Sequence, residues 1–186
     1  PLEIVLQSFA HILNFEEQLQ RLPTDGSALK ETLKKIDSLC SAMDYHDGYS
    51  LTAKAQMILG GLGIPKENGS QPIQLLSGGY RMRTVLGKLL LEAPDFLLLD
   101  EPTNHLDMDS LVWLEKYLEK QKYGMLIVSH DRDFLNRITT NIADICNRKI
   151  TLYQGNYDAY IRTKEETEAA QLNRARNLEA KISQNE

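Results

Sequence analysis

The 186-residue chain reads as an α/β protein: an all-α subdomain, then a sheet covered by helices, then a long charged helix. Three observations carry that expectation. Apolar residues recur at helical spacing through the first third of the chain. Short, strongly apolar runs then alternate with helical patterns, the arrangement that favours a parallel sheet. The C-terminal stretch is rich in Ala, Glu, Lys, Arg and Gln, with a thin apolar seam.

The first helical segment rests on Ile4, Val5, Phe9, Ile12 and Leu13, the second on Leu29, Leu33, Ile36, Leu39 and Met43, and the third on Ala53, Met57 and Ile58. Breaks are expected at Pro23-Thr24-Asp25-Gly26 and at Gly60-Gly61-Leu62-Gly63-Ile64-Pro65, where glycine permits backbone angles closed to a helix and proline removes a donor. Strands are expected at Phe96 to Leu99, Met125 to Val128 and Ile142 to Cys146. Helices lie between the first two (Leu111, Leu114, Leu118) and after the second (Phe134, Leu135, Ile138). Beyond Ile150-Thr151-Leu152-Tyr153 the chain turns at Gly155-Asn156 and becomes the charged helix. Its seam of Leu172, Ala175, Leu178 and Ile182 suits either a single exposed helix or half of a coiled-coil hairpin.

A hydrophobic content of 42% supplies a real core, and the formal charge of -5 supplies no overall basic field, so any nucleic-acid contact must come from a local patch. Cys40 and Cys146 lie far apart without a C-x-x-C pairing, which suggests neither a zinc site nor a disulfide scaffold. The start at Pro1, with no charged-then-apolar leader and no long uncharged apolar run, points away from secretion and membrane insertion. It points towards a trimmed chain with a cytoplasmic home.

Four motifs carry the chemistry. In Leu76-Ser77-Gly78-Gly79-Tyr80, Ser77 stands where a helix starts. Bare N–H groups, the positive end of the helix dipole and a hydroxyl together make an anion site suited to a γ-phosphate. Phe96-Leu97-Leu98-Leu99-Asp100-Glu101-Pro102 describes a buried strand delivering two acids at its carboxyl end, where open α/β sheets bind ligands. Asp100 suits Mg²⁺, and Glu101 suits orienting or deprotonating an attacking water. Asn104-His105-Leu106-Asp107 follows at once. In Val128-Ser129-His130-Asp131, His130 leaves a second apolar strand at the edge where Asp100 is expected, placed to hydrogen-bond a γ-phosphate. The bland alternatives, a helix cap, solvated acids at a strand end and a surface histidine, fit each motif alone but not the four in this order. His11, His46 and His105 are read as ordinary surface or core residues.

In these residues the chain resembles the ATP-binding-cassette family. The strings Glu101-Pro-Thr-Asn-His-Leu-Asp107, Ser110-Leu-Val-Trp-Leu-Glu115 and Ser129-His-Asp-Arg-Asp-Phe-Leu135 resemble its ABC-F branch of soluble proteins, which have two cassettes per chain and often act on the ribosome. The resemblance implies a partial P-loop NTPase core. Residues 1–94 would be the helical signature subdomain, residues 95–154 the later half of the catalytic core, and residues 155–186 the start of the linker between cassettes, which reaches towards tRNA. It implies ATP and Mg²⁺ as ligands. Ser77, Gly78 and Gly79 would contact ATP held by the opposite cassette, Asp100 would be the magnesium-associated aspartate and Glu101 the catalytic glutamate. Asp107 would be the D-loop aspartate that communicates across the dimer, and His130 the switch histidine. Implied partners are a second cassette of the same chain, the ribosome and tRNA, with no membrane insertion. Tyr80 stands where an acidic or other polar residue often follows the signature glycines.

A Gly-x-x-x-x-Gly-Lys-Ser/Thr phosphate loop does not occur in these residues, because Gly87-Lys88 is followed by Leu89 and has Met82 where the first Gly belongs. The chain is therefore expected to carry the later part of a first cassette, to leave an unpaired apolar edge and to self-associate. The alternative of an ATPase subunit driving a membrane transporter predicts no linker helix. A chromosome-maintenance half-cassette predicts its coiled coil before the signature motif rather than after it. Because the N–H cradle and lysine of a phosphate loop supply much of the affinity for nucleotide, calorimetric titration of the 186 residues with Mg-ATP should show no micromolar binding. Micromolar binding would mean that another motif holds the phosphates.

Overall fold

The computed structural model describes residues 1–20, 34, 36–41 and 48–183. They fall into two compact units, Pro1–Ile127 and Val128–Glu186. The first holds α1 (Leu2–Leu6), α2 (Ala10–Gln20), a helical stretch over 36–41, α3 (Gly48–Gly61), α4 (Gly78–Glu92), β1 (Phe96–Asp100) and α5 (Met108–Leu118). It also takes in β2 (Gly124–Val128) as far as Ile127. The first predicted helix is interrupted by a 3₁₀ turn at Gln7–Phe9. Leu29, Leu33, Met43 and the Pro23-to-Gly26 break lie outside the described residues.

Helix α3 is present where its spacing predicts, but its buried stripe is differently phased. Leu51, Ala55, Ile58, Leu59 and Leu62 are buried, whereas Ala53 and Met57 are exposed. The buried set recurs at three and four residues, and Leu51, Ala55 and Leu59 of it join Val5, Leu6 and Ile64 in one core cluster of the helical layer. The helix ends as the Gly60-to-Pro65 string predicts. Gly63 takes φ +72, its N–H donates to Gly60 O at 3.0 Å, and Ile64 N–H donates to Leu59 O at 2.9 Å. This pair of bonds is a Schellman motif, with Ile64 and Leu59 making its apolar contact inside the core.

Strands β1 and β2 are neighbours in one two-stranded sheet, and α5 lies between them in the chain. The strand ending in Asp100 is buried on one face rather than two. Leu97 and Leu99 are 3% and 6% exposed, but Phe96 and Leu98 are 57% and 66% exposed. Alternation of this kind means that the described helices cover only one side of an apolar strand.

The second unit contains α6 (Arg132–Ile138), β3 (Asn141–Cys146), β4 (Lys149–Gln154) and α7 (Tyr157–Ser183). Here the third expected strand departs from the parallel reading, because β3 pairs antiparallel with β4 from Asn141↔Gln154 to Cys146↔Lys149. The cause is the two-residue connection. Asn147 and Arg148 both adopt left-handed angles, φ 50 and 62, the type I′ geometry whose twist matches a hairpin. Helix α7 starts at a capped turn: Asn156 Oδ1 accepts from Ala159 N–H at 3.1 Å, and Asn136 Oδ1 accepts from Asp158 N–H at 2.9 Å. Lys164 Nζ then reaches back to Asp144 Oδ2 at 2.7 Å and to Tyr160 Oη at 2.8 Å, fastening the helix to β3. The predicted seam from Leu172 to Ile182 falls on side chains outside the described residues. Among the described residues, no helix is long and apolar enough to cross a membrane.

Two neighbouring glycines of α3 should respond oppositely to alanine. A Cβ on Gly61 would lie 2.0 to 2.4 Å from the Trp113 indole of α5, which itself stacks on Tyr117. One on Gly60 meets nothing within 4 Å. Gly61→Ala should destabilise by roughly 1–3 kcal/mol through overpacking, while Gly60→Ala should stabilise by about 0.5–1 kcal/mol through helix propensity. Urea denaturation of the two variants checks the difference in sign.

Candidate functional site

Ser77 is the N-cap of α4. Its φ and ψ of -59 and 159 lie outside the helix, and its Oγ accepts from Tyr80 N–H at 3.4 Å. The first N–H groups of a helix have no acceptor within it, so those of Gly78 and Gly79 face outward at the positive end of the dipole. Ser77 and Gly78 are exposed, and a Cβ on Gly78 would meet nothing within 4 Å, so the approach is open. The preceding loop is braced from inside the helix by Arg81, which donates to Leu76 O at 3.0 Å and Gln74 O at 2.5 Å. Tyr80 packs against the helical core instead of contributing a polar group at the opening.

Asp100 ends β1 with its side chain exposed, and Glu101 begins the loop that follows. Glu101 has φ 48 and His105 has φ 68, left-handed angles that are uncommon for residues with a Cβ and that persist where surrounding contacts over-determine them. Between them Asn104 N–H donates to Glu101 O at 3.1 Å and Leu106 N–H to Thr103 O at 3.2 Å. The Oε2 atom of Glu101 is shielded from solvent. Both acids line a groove of about 250 Å³ together with Leu98 of β1 and Met82, Val85 and Leu89 of α4. Among the described residues no group of three or more His, Cys, Asp or Glu side chains could hold a metal. An exposed carboxylate at a strand end does fit Mg²⁺ when phosphates supply the remaining oxygens, which is how that ion is usually bound beside nucleotides.

Two residues connect these parts. Asp107 caps α5, its Oδ1 accepting from Ser110 N–H at 2.9 Å, and its Oδ2 pairs with Arg83 Nη1 at 2.9 Å. Arg83 also donates from Nη1 to Leu62 O at 3.1 Å and from Nε to His105 O at 2.8 Å. The loop stands against the start of α4 as well, since a Cβ on Gly79 would be 3.5 Å from that of His105. Ser77, Gly78, Gly79, Asp100, Glu101 and Asp107 thus all lie in the first unit, with the arms of Arg83 between α4 and the acidic loop. Sequence reasoning passes over Arg83, whose trace is a basic residue early in an amphipathic helix, and it reads His105 as ordinary.

His130 belongs to the second unit. Asp131 N–H donates to Ser129 Oγ at 3.1 Å, and Asp131 Oδ1 accepts from Phe134 N–H at 3.1 Å as the cap of α6. His130 is thereby presented, exposed, on a tight turn between two anchored neighbours. Further along α6, Asn136 holds the first turn of α7, and the Arg132 guanidinium lies 5.7 Å from the centre of the Tyr157 ring.

The hydrogen bonds from Ser110 and then Arg83 hold the Asp107 carboxyl down from 3.8 to about 2. A depressed carboxylate stabilises the fold fully above the unfolded value and loses that contribution as the pH falls towards the folded one. Asp107→Asn keeps a capping oxygen but removes the charge. It should therefore be less stable than the unmodified chain near neutrality, and the gap should close as the pH falls from about 4 to about 2. Urea denaturation across that range checks it, and a gap independent of pH would show that the carboxylate charge contributes nothing.

A family model described as ABC transporter matches residues 6–104, and a second of the same description, for an extension, matches residues 143–186. An uncharacterized ABC transporter ATP-binding protein of Schizosaccharomyces pombe is 46% identical over 74% of this chain and 22% of its own length. ABC transporter F family member 3 of Arabidopsis thaliana is 41% identical over 76% of this chain and 21% of its own. ATP-binding cassette sub-family F member 2 of Bos taurus is 37% identical over 94% of this chain and 27% of its own. The chain thus spans between 21% and 27% of the length of these three relatives. With the capped Ser-Gly-Gly helix, the acid-terminated strand and the extension all matched, the chain belongs to the ATP-binding-cassette family, in its ABC-F branch.

Proposed function

We propose that these residues form the signature-bearing later part of the first cassette of an ABC-F ATPase, which couples ATP binding and hydrolysis to work on the ribosome. Residues 1–94 act as the helical signature subdomain, residues 95–154 as the later half of the catalytic core and residues 155–186 as the start of the inter-cassette linker. The observation that carries the reading is the open, capped N-terminus at Ser77, in one compact unit with Asp100 and Glu101.

In this reading Ser77, Gly78 and Gly79 grip the γ-phosphate of ATP presented by a second cassette of the same chain, with N–H donors already aimed and unshared by the helix. Asp100 holds Mg²⁺ together with phosphate oxygens. When bound, that ion neutralises charge on the transferring phosphoryl group. Glu101 orients and deprotonates the attacking water, and its constrained backbone keeps the carboxylate from wandering. His130 takes the switch role of hydrogen-bonding the γ-phosphate, and Asp107 takes the role of communicating across the closed pair. The same reading makes the protein cytoplasmic, with ribosome and tRNA as partners. The membrane-transporter alternative is disfavoured by the continuous helix from Tyr157 to Ser183. Exposed apolar residues on the open side of the first sheet, Phe96, Leu98 and Leu126, support self-association of the 186 residues taken alone.

The test separates hydrolysis from closure in a full-length protein carrying these residues. Glu101→Gln keeps the shape of the base but not its basicity, so hydrolysis should fall by roughly 10² or more while ATP still binds. Ser77→Arg puts bulk and charge into the opening and should block closure. In co-sedimentation with ribosomes and ATP, the glutamine variant should be retained and the arginine variant released. Identical behaviour of the two, or hydrolysis by Glu101→Gln at the unmodified rate, overturns the assignment.

A further inference from the structure

Arg83 lies outside every motif to which the proposed function assigns a role, yet its guanidinium joins three separate segments. Nη1 reaches Leu62 O at the end of α3 and Asp107 Oδ2 at the cap of α5, while Nε reaches His105 O in the acid-bearing loop. The side chain is 12% exposed and lies 5.5 Å from the centre of the Tyr80 ring. A half-buried cation with a carboxylate and two carbonyl dipoles around it is well compensated, and the flat fork of arginine serves three directions at once where a lysine ammonium would act as a point charge.

One of those bonds falls on His105, a left-handed residue with a side chain, and another falls two residues further on. The loop from Glu101 to Asp107 carries two such residues, and a strained loop of this kind keeps its shape only while neighbouring contacts impose it. Asp107 and the His105 carbonyl are the points at which that shape is imposed from α4. The same loop abuts Gly79, at the anion-facing start of that helix.

We propose that Arg83 is a positioning residue for hydrolysis: it fixes the Glu101-to-Asp107 loop to the helix that begins at Ser77, so that the phosphate-gripping end and the acid-bearing loop keep one geometry. This rests on the reading of Ser77 and Glu101 given above. Arg83 touches no reacting atom in that reading and acts through the loop backbone.

The experiment uses the full-length protein without nucleotide for hydrogen exchange and with ATP for kinetics. In Arg83→Lys, which keeps the charge but loses the fork, amides of residues 101–107 should exchange about tenfold or more faster, while those of residues 48–62 stay unchanged. Arg83→Met should do the same or more. Asp107→Asn, which keeps the cap and removes one anchor, should reproduce a smaller loop effect, so the test survives if Arg83→Met does not fold. In steady-state hydrolysis kcat should fall about tenfold or more with KM for ATP within about twofold of the unmodified value, because positioning is needed in the transition state. Unchanged loop exchange in both Arg83 variants, equal acceleration in residues 48–62, full rescue by lysine, or a rise in KM that accounts for the loss would each overturn the proposal. If the unmodified protein hydrolyses no ATP, the functional reading fails, and the exchange measurement still decides whether Arg83 sets the loop.

Discussion

The first unit depends on a space left by a missing side chain. Gly63 closes helix α3 with a left-handed turn, and a Cβ there would stand 2.6 Å from both Arg83 Nη1 and Ser110 Oγ and 3.2 Å from Asp107 Oδ2. One residue therefore serves two constraints of different origin, the backbone angle of a helix stop and the room in which an ion pair and a helix cap meet. The end of the helical layer, the Ser77 helix and the loop after β1 share that point. A side chain added at Gly63 would crowd all three at once, because close-packed neighbours have no slack to absorb it.

Much of this was legible in the residues alone. Ser77 before two glycines and a helical run describes a capped helix start, and the apolar run into Asp100 and Glu101 describes a strand ending in acids; both are where they were expected. The phase of α3 was not legible. Ala53, Ala55, Met57 and Ile58 are all apolar, and periodicity alone cannot choose which of them faces the core when the opposite side is also weakly apolar. The β3–β4 hairpin is hidden in the sequence for a related reason. Its turn is Asn147-Arg148, which lacks the glycine that makes such turns conspicuous, although asparagine tolerates the left-handed region. The left-handed angle at Glu101 leaves no sequence trace, because glutamate does not favour it, whereas His105 belongs to a residue type that visits that region more often than most. The role of Arg83 depends on carbonyls whose positions only the fold creates.

Both sheets bury one face and leave the other apolar. In the second unit the face of the hairpin bearing Asp144 and Tyr153 lies on α7, where Tyr153 and Tyr160 meet edge to face at 5.0 Å. The opposite face carries Ile145, Ile150 and Leu152, all largely exposed. Strands of this composition are stable when packed on two sides. Helix α7 is thus fixed to the hairpin by one directional bond, Lys164 to Asp144, beside one buried ring, Tyr160.

That manner of attachment makes α7 a lever. Its base is tied within about two turns, to α6 by Asn136 and to β3 by Lys164, and its 27 residues extend roughly 40 Å. A tilt of about 10° at the gripped end carries the far end through roughly 7 Å, more than one helical turn, with no bond in the shaft disturbed. Small angular changes in the hairpin are in this way converted into displacements on the scale of a side chain or more at Ser183, and the stiffness of the output is set at the root by Asn136, by Lys164 and by the packing of Tyr160 on Tyr153.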